Sequence, residues 1–228
     1  SVCPHAASAG IRVLETGGNA FDAAIAVAGV EWLTNPSNCG LGGDTFAILY
    51  DATRDRMTAI NGSGCAGTHA RAELYVEQGF HQMPLTGWHA SAIPGTPDAC
   101  VTLNREFGTR SLRDLLAPAI ECAEHGVIVS PSMKREIDQS ADKLREFQST
   151  SAFLPGGMPP KEGMRLPLTD LGRSIRKLAE EGSEPFHTGH IAKEIVRASE
   201  AAYGPFTSAD FSGHQTEVYQ PISTTYRG

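Results

Sequence analysis

The residues able to do chemistry are scattered along the chain. Their densest group is "NPSNCGLGGDTFAILYD", Asn35 to Asp51, where glycines and a cysteine crowd the turn before an apolar run. A phosphate cradle needs a strand before the glycines and a helix after them, because the helix N-terminus supplies the N–H donors. The order here is reversed, with helix-like sequence before Asn35-Pro36 and strand-like sequence after Gly43. Gly40-Leu41-Gly42 also runs on into Gly43-Asp44-Thr45, so the third glycine of GxGxxG is missing. These glycines are expected to let the backbone turn tightly and approach its neighbours. His187 and His190 stand three apart at a helix start, a spacing that two ligands of one metal can have. No third ligand lies nearby, and a solvated helix end is expected instead. Cys39 and Cys65 have no base at suggestive spacing and read as small buried packing residues. Ser1 could activate itself through its own amine, but "SVCPH" reads as a helix lead-in. Asp22 and Asp44 read as a helix-cap partner and a turn residue, not an acid/base pair. GxSxG, HExxH, Walker A and zinc-type cysteine pairs do not occur, so neither metal nor cofactor is expected.

The elements that must position any site follow from periodicity. His5 to Thr16 has helical spacing and stops at Gly17-Gly18. Asn19, with Asp22 three residues on, opens "AFDAAIAVAGVEWL", a helix apolar nearly all round and rich in alanine. Such a helix is buried on most sides, and its small residues permit close packing. In "TFAILY", Phe46, Ile48 and Tyr50 line one face while Ala47 and Leu49 line the other. A strand apolar on both faces belongs in a sandwiched layer. "DATRD" is a polar turn and "RMTAING" the returning strand of a hairpin. After Ala66 comes a loop-rich stretch. Helices are then expected at residues 98–107, at 111–125 with Pro118 breaking or kinking it, and at 132–147. "STSAFLPGGMPPKEGMRLP" reads as an irregular connector. Two further helices follow Thr169 and Thr188, and residues 213–228 look extended. The organisation expected is a helix pair plus core strands at 1–66, a mainly helical lobe at 67–213, and the start of a further strand at 214–228.

Composition bounds the class. A chain of 228 residues, 40% hydrophobic and 20% charged, can bury about 70–75% of its unfolded surface, enough for a sizeable core. A formal net charge of -7 opposes nucleic acid or an anionic membrane as partner. No apolar run reaches the ~18 residues of a membrane span. Cys3, Cys39, Cys65, Cys100 and Cys122 are odd in number and unclustered. That pattern points to reduced thiols and a cytoplasmic setting, or to the periplasm or outside if a leader has been removed.

Taken in order, "GIRVLETGGNAFDAAIAVAGV", "NPSNCGLGGDTFAILYD" and "TAING" resemble the opening helix pair, glycine turn and first core strands of the γ-glutamyltransferases. The likeness continues through "SAIPGTPDACVTLNREFGTRSLRDLLAPAIECAEHGVIVS" and "IRKLAEEGSEPFHTGHIAKEIV" to "PISTTYRG". It implies an α+β fold, the four-layer αββα N-terminal-nucleophile hydrolase sandwich, with this chain as the front part of the large subunit. It also implies a precursor that cleaves itself, freeing a small subunit whose N-terminal threonine is nucleophile and base. The catalytic residue is then expected on the partner small subunit, in a heterodimer or heterotetramer, with none on this chain.

The resemblance singles out "AINGSGCAG". In γ-glutamyl-specific members the matching segment carries an arginine, where this sequence has Ser63, and that arginine clamps the donor's α-carboxylate. An arginine–carboxylate fork is strong and directional, whereas serine offers a hydrogen bond and no charge. Two readings stand for Asn61, Gly62, Ser63 and Gly64: the lining of an acyl pocket with altered specificity, or a plain β-turn. Two functions stand as well. One is an amide hydrolase or acyltransferase for γ-glutamyl, small-acid or cephalosporin-type acyl amides. The other is a non-catalytic relative kept as an oligomer component.

Overall fold

The computed structural model describes Ser1 and residues 3–227. Val2 of the "SVCPH" lead-in and Gly228 of the C-terminal stretch lie outside them. The first elements are α1 (Pro4–Glu15), α2 (Ala20–Thr34), β1 (Thr45–Asp51), β2 (Arg56–Gly62) and α3 (Ala72–Glu77). They are followed by α4 (Thr96–Phe107), α5 (Leu112–His125), β3 (Val127–Ile128) and α6 (Pro131–Arg145). The last are β4 (Arg165–Leu166), α7 (Thr169–Glu181), α8 (Glu184–His187), α9 (His190–Ala201), α10 (Ser208–Ser212) and β5 (Glu217–Tyr219). Two compact units result, residues 1–41 with 104–180 and residues 42–103 with 181–228. Among the described residues no helix is long and apolar enough to cross a membrane.

In the first unit α2 is the central member, and its small residues set the packing distance. A side chain at Gly10 of α1 would collide with Val27, and one at Gly29 with Leu116 and Ala119 of α5. Ile25, Ala26, Val30 and Leu33 are almost wholly buried, as the all-round apolar pattern requires. α1 ends where expected, at Gly17 with φ +87°, and Gly18 N donates to Val13 O at 2.9 Å. α2 opens on a capping box in which Asp22 N donates to Asn19 Oδ1 and Asn19 N to Asp22 Oδ2. Asp22 is fully buried and also accepts from Thr109 N, Thr109 Oγ1 and Arg110 N. Burial alone would raise this carboxyl, but the hydrogen bonds from Thr109, Asn19 and Arg110 outweigh it and hold it below its ordinary range. One side chain thus starts α2 and pins the turn that leads into α5.

α5 runs unbroken through Pro118. Its buried face, Leu115, Leu116, Ala119, Ile120 and Ala123, offsets the hydrogen bond that proline removes. The supposed irregular connector contains more order than its composition suggests. Two short 3₁₀ turns occupy Gln148–Phe153 and Pro155–Gly157, and Arg165–Leu166 pairs antiparallel with Val127–Ile128.

The second unit is built on an antiparallel sheet of order β1-β2-β5. Ala47 lies opposite Ile60 and Ile48 opposite Ala59, so the hairpin is in the register its turn dictates. On one face Thr58, Ile60 and Gly62 of β2 are buried. On the other face Ala59 is buried, but the β1 side chains are bare in this chain: Phe46 is 69% exposed, Ile48 71% and Tyr50 55%. The two-sided apolar pattern of β1 is real, but these residues supply only one of the two layers it calls for. Ile93, Ala192, Val196, Phe206 and Phe211 form a separate cluster beside α9 and α10, with Trp88 packed against it.

Candidate functional site

The candidate loop begins where β2 ends. Asn61 faces the same side of the sheet as its cross-strand neighbours Phe46 and Glu217, which is the uncovered side. Asn61 Oδ1 accepts from Ser63 N at 3.1 Å and from Ser63 Oγ at 2.8 Å, an Asx turn closed by its own hydroxyl. Asn61 Nδ2 donates to Glu217 Oε2 at 3.1 Å, joining the loop to β5. One residue on, Gly64 N donates to Asp44 Oδ1 at 2.8 Å. Asn61 and Ser63 are therefore tied to one carboxylate and Gly64 to another. The turn geometry is present, and the charged side chains tied to it are both acidic.

Glycines bring a second segment against this loop. A Cβ at Gly64 would lie 1.6 Å from Ile93 O, and one at Gly95 would lie 1.9 Å from Gly62 O. Ile93 N donates to Cys65 O at 3.0 Å. Gly43 O accepts from Gly95 N, Thr96 N and Thr96 Oγ1, all within 3.0 Å, at the start of α4. Two chain segments thus run in backbone contact, which only glycine allows. For two of the upstream glycines the expected close approach needs correcting. A side chain at Gly40 or Gly42 meets nothing within 4 Å in this chain, and neither has positive φ. Close approach belongs to Gly43, whose carbonyl meets residues 95 and 96, and to Gly62, Gly64 and Gly95, which the glycine-rich spelling around Asn35 to Asp51 did not signal.

Other candidates fall differently. His187 is not a solvated helix end: it is buried, and its ring stacks on His214 with centroids 4.7 Å apart. His190 is exposed and lies in the next helix. Burial, then His214, pushes His187 down to about 4, against a smaller opposing pull from Asp98. Cys39 is half-buried, its thiol pushed up by burial and by Glu31, while Cys65 is exposed and not a buried packing residue. Among the described residues no group of three or more His, Cys, Asp or Glu is arranged to hold a metal ion. Asp44 does serve a turn, but through a bond to a residue twenty positions away.

The backbone places the chain among the N-terminal-nucleophile hydrolases, of which it supplies the first helices, core strands and helical lobe. It matches γ-glutamyltranspeptidase from Helicobacter pylori with a TM-score of 0.94 at 26% identity, over 100% of this chain and 66% of that one. It matches cephalosporin acylase from Bacillus halodurans with a TM-score of 0.92 at 32% identity, over 99% and 43%. Residues 6–228 match the model of the gamma-glutamyltranspeptidase family, and the chain belongs to that family. Among curated relatives it is 34% identical to the glutathione hydrolase-like YwrD proenzyme of Bacillus subtilis (strain 168), over 100% of this chain. It spans 44% of that relative's length.

Proposed function

We propose that this chain is the front part of the large subunit of an autoprocessed amide hydrolase or acyltransferase whose pocket is lined by Asn61 to Gly64. The nucleophile is the N-terminal threonine of a small subunit released from the same precursor. Its hydroxyl adds to the acyl carbonyl of γ-glutamyl or a related acyl amide while its α-amine takes the proton, and the amine leaving group departs with a proton. The acyl-threonine ester is then resolved by water or by an acceptor amine. The bare apolar face of β1 supports a partner layer: Phe46, Ile48 and Tyr50 form the apolar surface a second sheet covers. Asn61 shares that face.

The observation that carries the specificity reading is the loop's chemistry. Ser63 stands where γ-glutamyl-specific members carry arginine, and the side chains tied to the loop are the carboxylates of Asp44 and Glu217. A donor α-carboxylate finds no fork here and meets like charge. The chain therefore favours acyl groups without an α-amino acid end. A hydrogen bond to a charged group is worth about 1.5–3 kcal/mol, or roughly ten- to a hundred-fold in kcat/KM. The test compares a γ-glutamyl anilide with the matching butyryl anilide, which carries neither α-carboxylate nor α-amine, in wild type and Ser63→Arg. Wild type should prefer the butyryl compound, and the arginine should shift preference back. A wild type that strongly prefers the γ-glutamyl compound, with no change in the variant, ends the altered-specificity reading.

A further inference from the structure

Among the described residues of the second unit four histidine nitrogens are buried without partners, and three of them lie together: Nδ1 and Nε2 of His187 and Nε2 of His214. Unpaired buried polar atoms are costly, and two phenylalanines would stack in the same space without that penalty. Among the described residues no group of three His, Cys, Asp or Glu is arranged here to hold a metal ion. What stands beside the pair is Asp98 of α4, which accepts from Ser183 Oγ at 3.0 Å and from Thr216 N at 2.9 Å. Thr216 is the residue immediately before β5.

In this chain β5 is a three-residue strand with every residue exposed, and among the described residues it pairs with β2 alone. Within this chain apolar burial contributes little to its seat, and the Asp98–Thr216 bond anchors its start. From β5 the connection to the loop is direct: Glu217 accepts from Asn61, and Asn61 holds Ser63. We propose that the Asp98–His187–His214 cluster is a positioning unit that seats β5 against β2 and so fixes Asn61 and Ser63 for the acyl donor. The proposal rests on the reading of Asn61 to Gly64 as the donor loop.

The cluster makes this seat sensitive to protons. The groups acting on the pair are Asp98 on both rings and Asp44 on His214, and burial outweighs their pull. Both imidazoles are therefore held below their ordinary value and stay neutral in the closed arrangement. Opening lets each take a proton near its ordinary value, so opening is favoured as pH falls from 6.5 toward about 4. His187 contributes at most roughly tenfold per pH unit across that window, and His214 acts in the same direction.

The test is amide hydrogen exchange on the full-length, processed protein at about pH 7.5 and about pH 5, corrected for intrinsic rates. In wild type, protection of the Ala59–Asn61 and Glu217–Tyr219 ladder should fall about tenfold or more at the lower pH. In the double variant His187→Phe with His214→Phe, which keeps a stack and removes both proton acceptors, it should change less than about threefold. Donor KM should rise with falling pH in wild type and stay flat in the variant, with kcat little affected. Unchanged wild-type protection overturns the proposal without needing any variant to fold. An equal fall in both proteins, or a KM that ignores the opening, overturns it too. The underlying reading fails separately, if Ser63→Arg leaves donor preference unaltered.

Discussion

Gly64→Ala is the sharpest test of how the loop is built. The added methyl would sit 1.6 Å from Ile93 O, where real contacts keep at least 3.0 Å, so the two segments must part by about 1.4 Å. The obstacle is backbone, which cannot rotate away as a side chain would. A displacement of that size breaks the bond from Gly64 N to Asp44, about 1.5–3 kcal/mol for a charged acceptor. It also strains the Ile93 N–Cys65 O bond, about 0.5–1.5 kcal/mol. Because Asp44 is exposed, the lower part of the combined range is expected, about 2–3 kcal/mol. With a urea slope of about 2–3 kcal/mol/M, the unfolding midpoint should drop by about 1 M. Donor KM should rise at least about tenfold, since an ångström of misplacement is enough to disrupt a bound geometry. Gly42→Ala is the control. Nothing lies within 4 Å of its new methyl in this chain, and it should stay within about 0.5 kcal/mol of wild type. If the two variants unfold alike, or Gly64→Ala matches wild type, the backbone-contact account is wrong.

Asp22→Asn should lower stability by about 2–4 kcal/mol at neutral pH, because a fully buried carboxylate with four donors loses its charge and gains an amide donor with no acceptor. As the folded carboxyl lies below its unfolded value, the wild-type advantage is present above the unfolded value and is lost as pH falls through the folded one; denaturation midpoints that differ equally at neutral and strongly acid pH would contradict this. Expressed without the rest of the protein, residues 1–228 should self-associate through Phe46, Ile48 and Tyr50, and Phe46→Lys with Ile48→Glu should reduce it. Sedimentation of a monodisperse wild-type monomer at high concentration would refute that account.

Local grammar was legible wherever a residue acts on its own neighbours. The Asn19–Asp22 box, the Gly17 stop and the β1–β2 hairpin are written within a few positions of the contacts they make, so periodicity and capping chemistry found them. The same holds for the close packing of α2, since its alanines and glycines are small whatever lies opposite. The Ser63 position came from the order of motifs along the chain. Composition could not have marked it.

What the tertiary structure decided is contact across long separations. His187 spelled a solvated helix end because nothing within four residues tells an exposed imidazole from one covered by a residue 27 positions later. Gly42 and Gly64 look equivalent as letters. Only the return of residues 93–96 along the end of β2 makes one of them indispensable and leaves the other free. Likewise the apolar alternation of β1 states that both faces want covering, but burial depends on which atoms arrive, and in this chain they arrive on one side only.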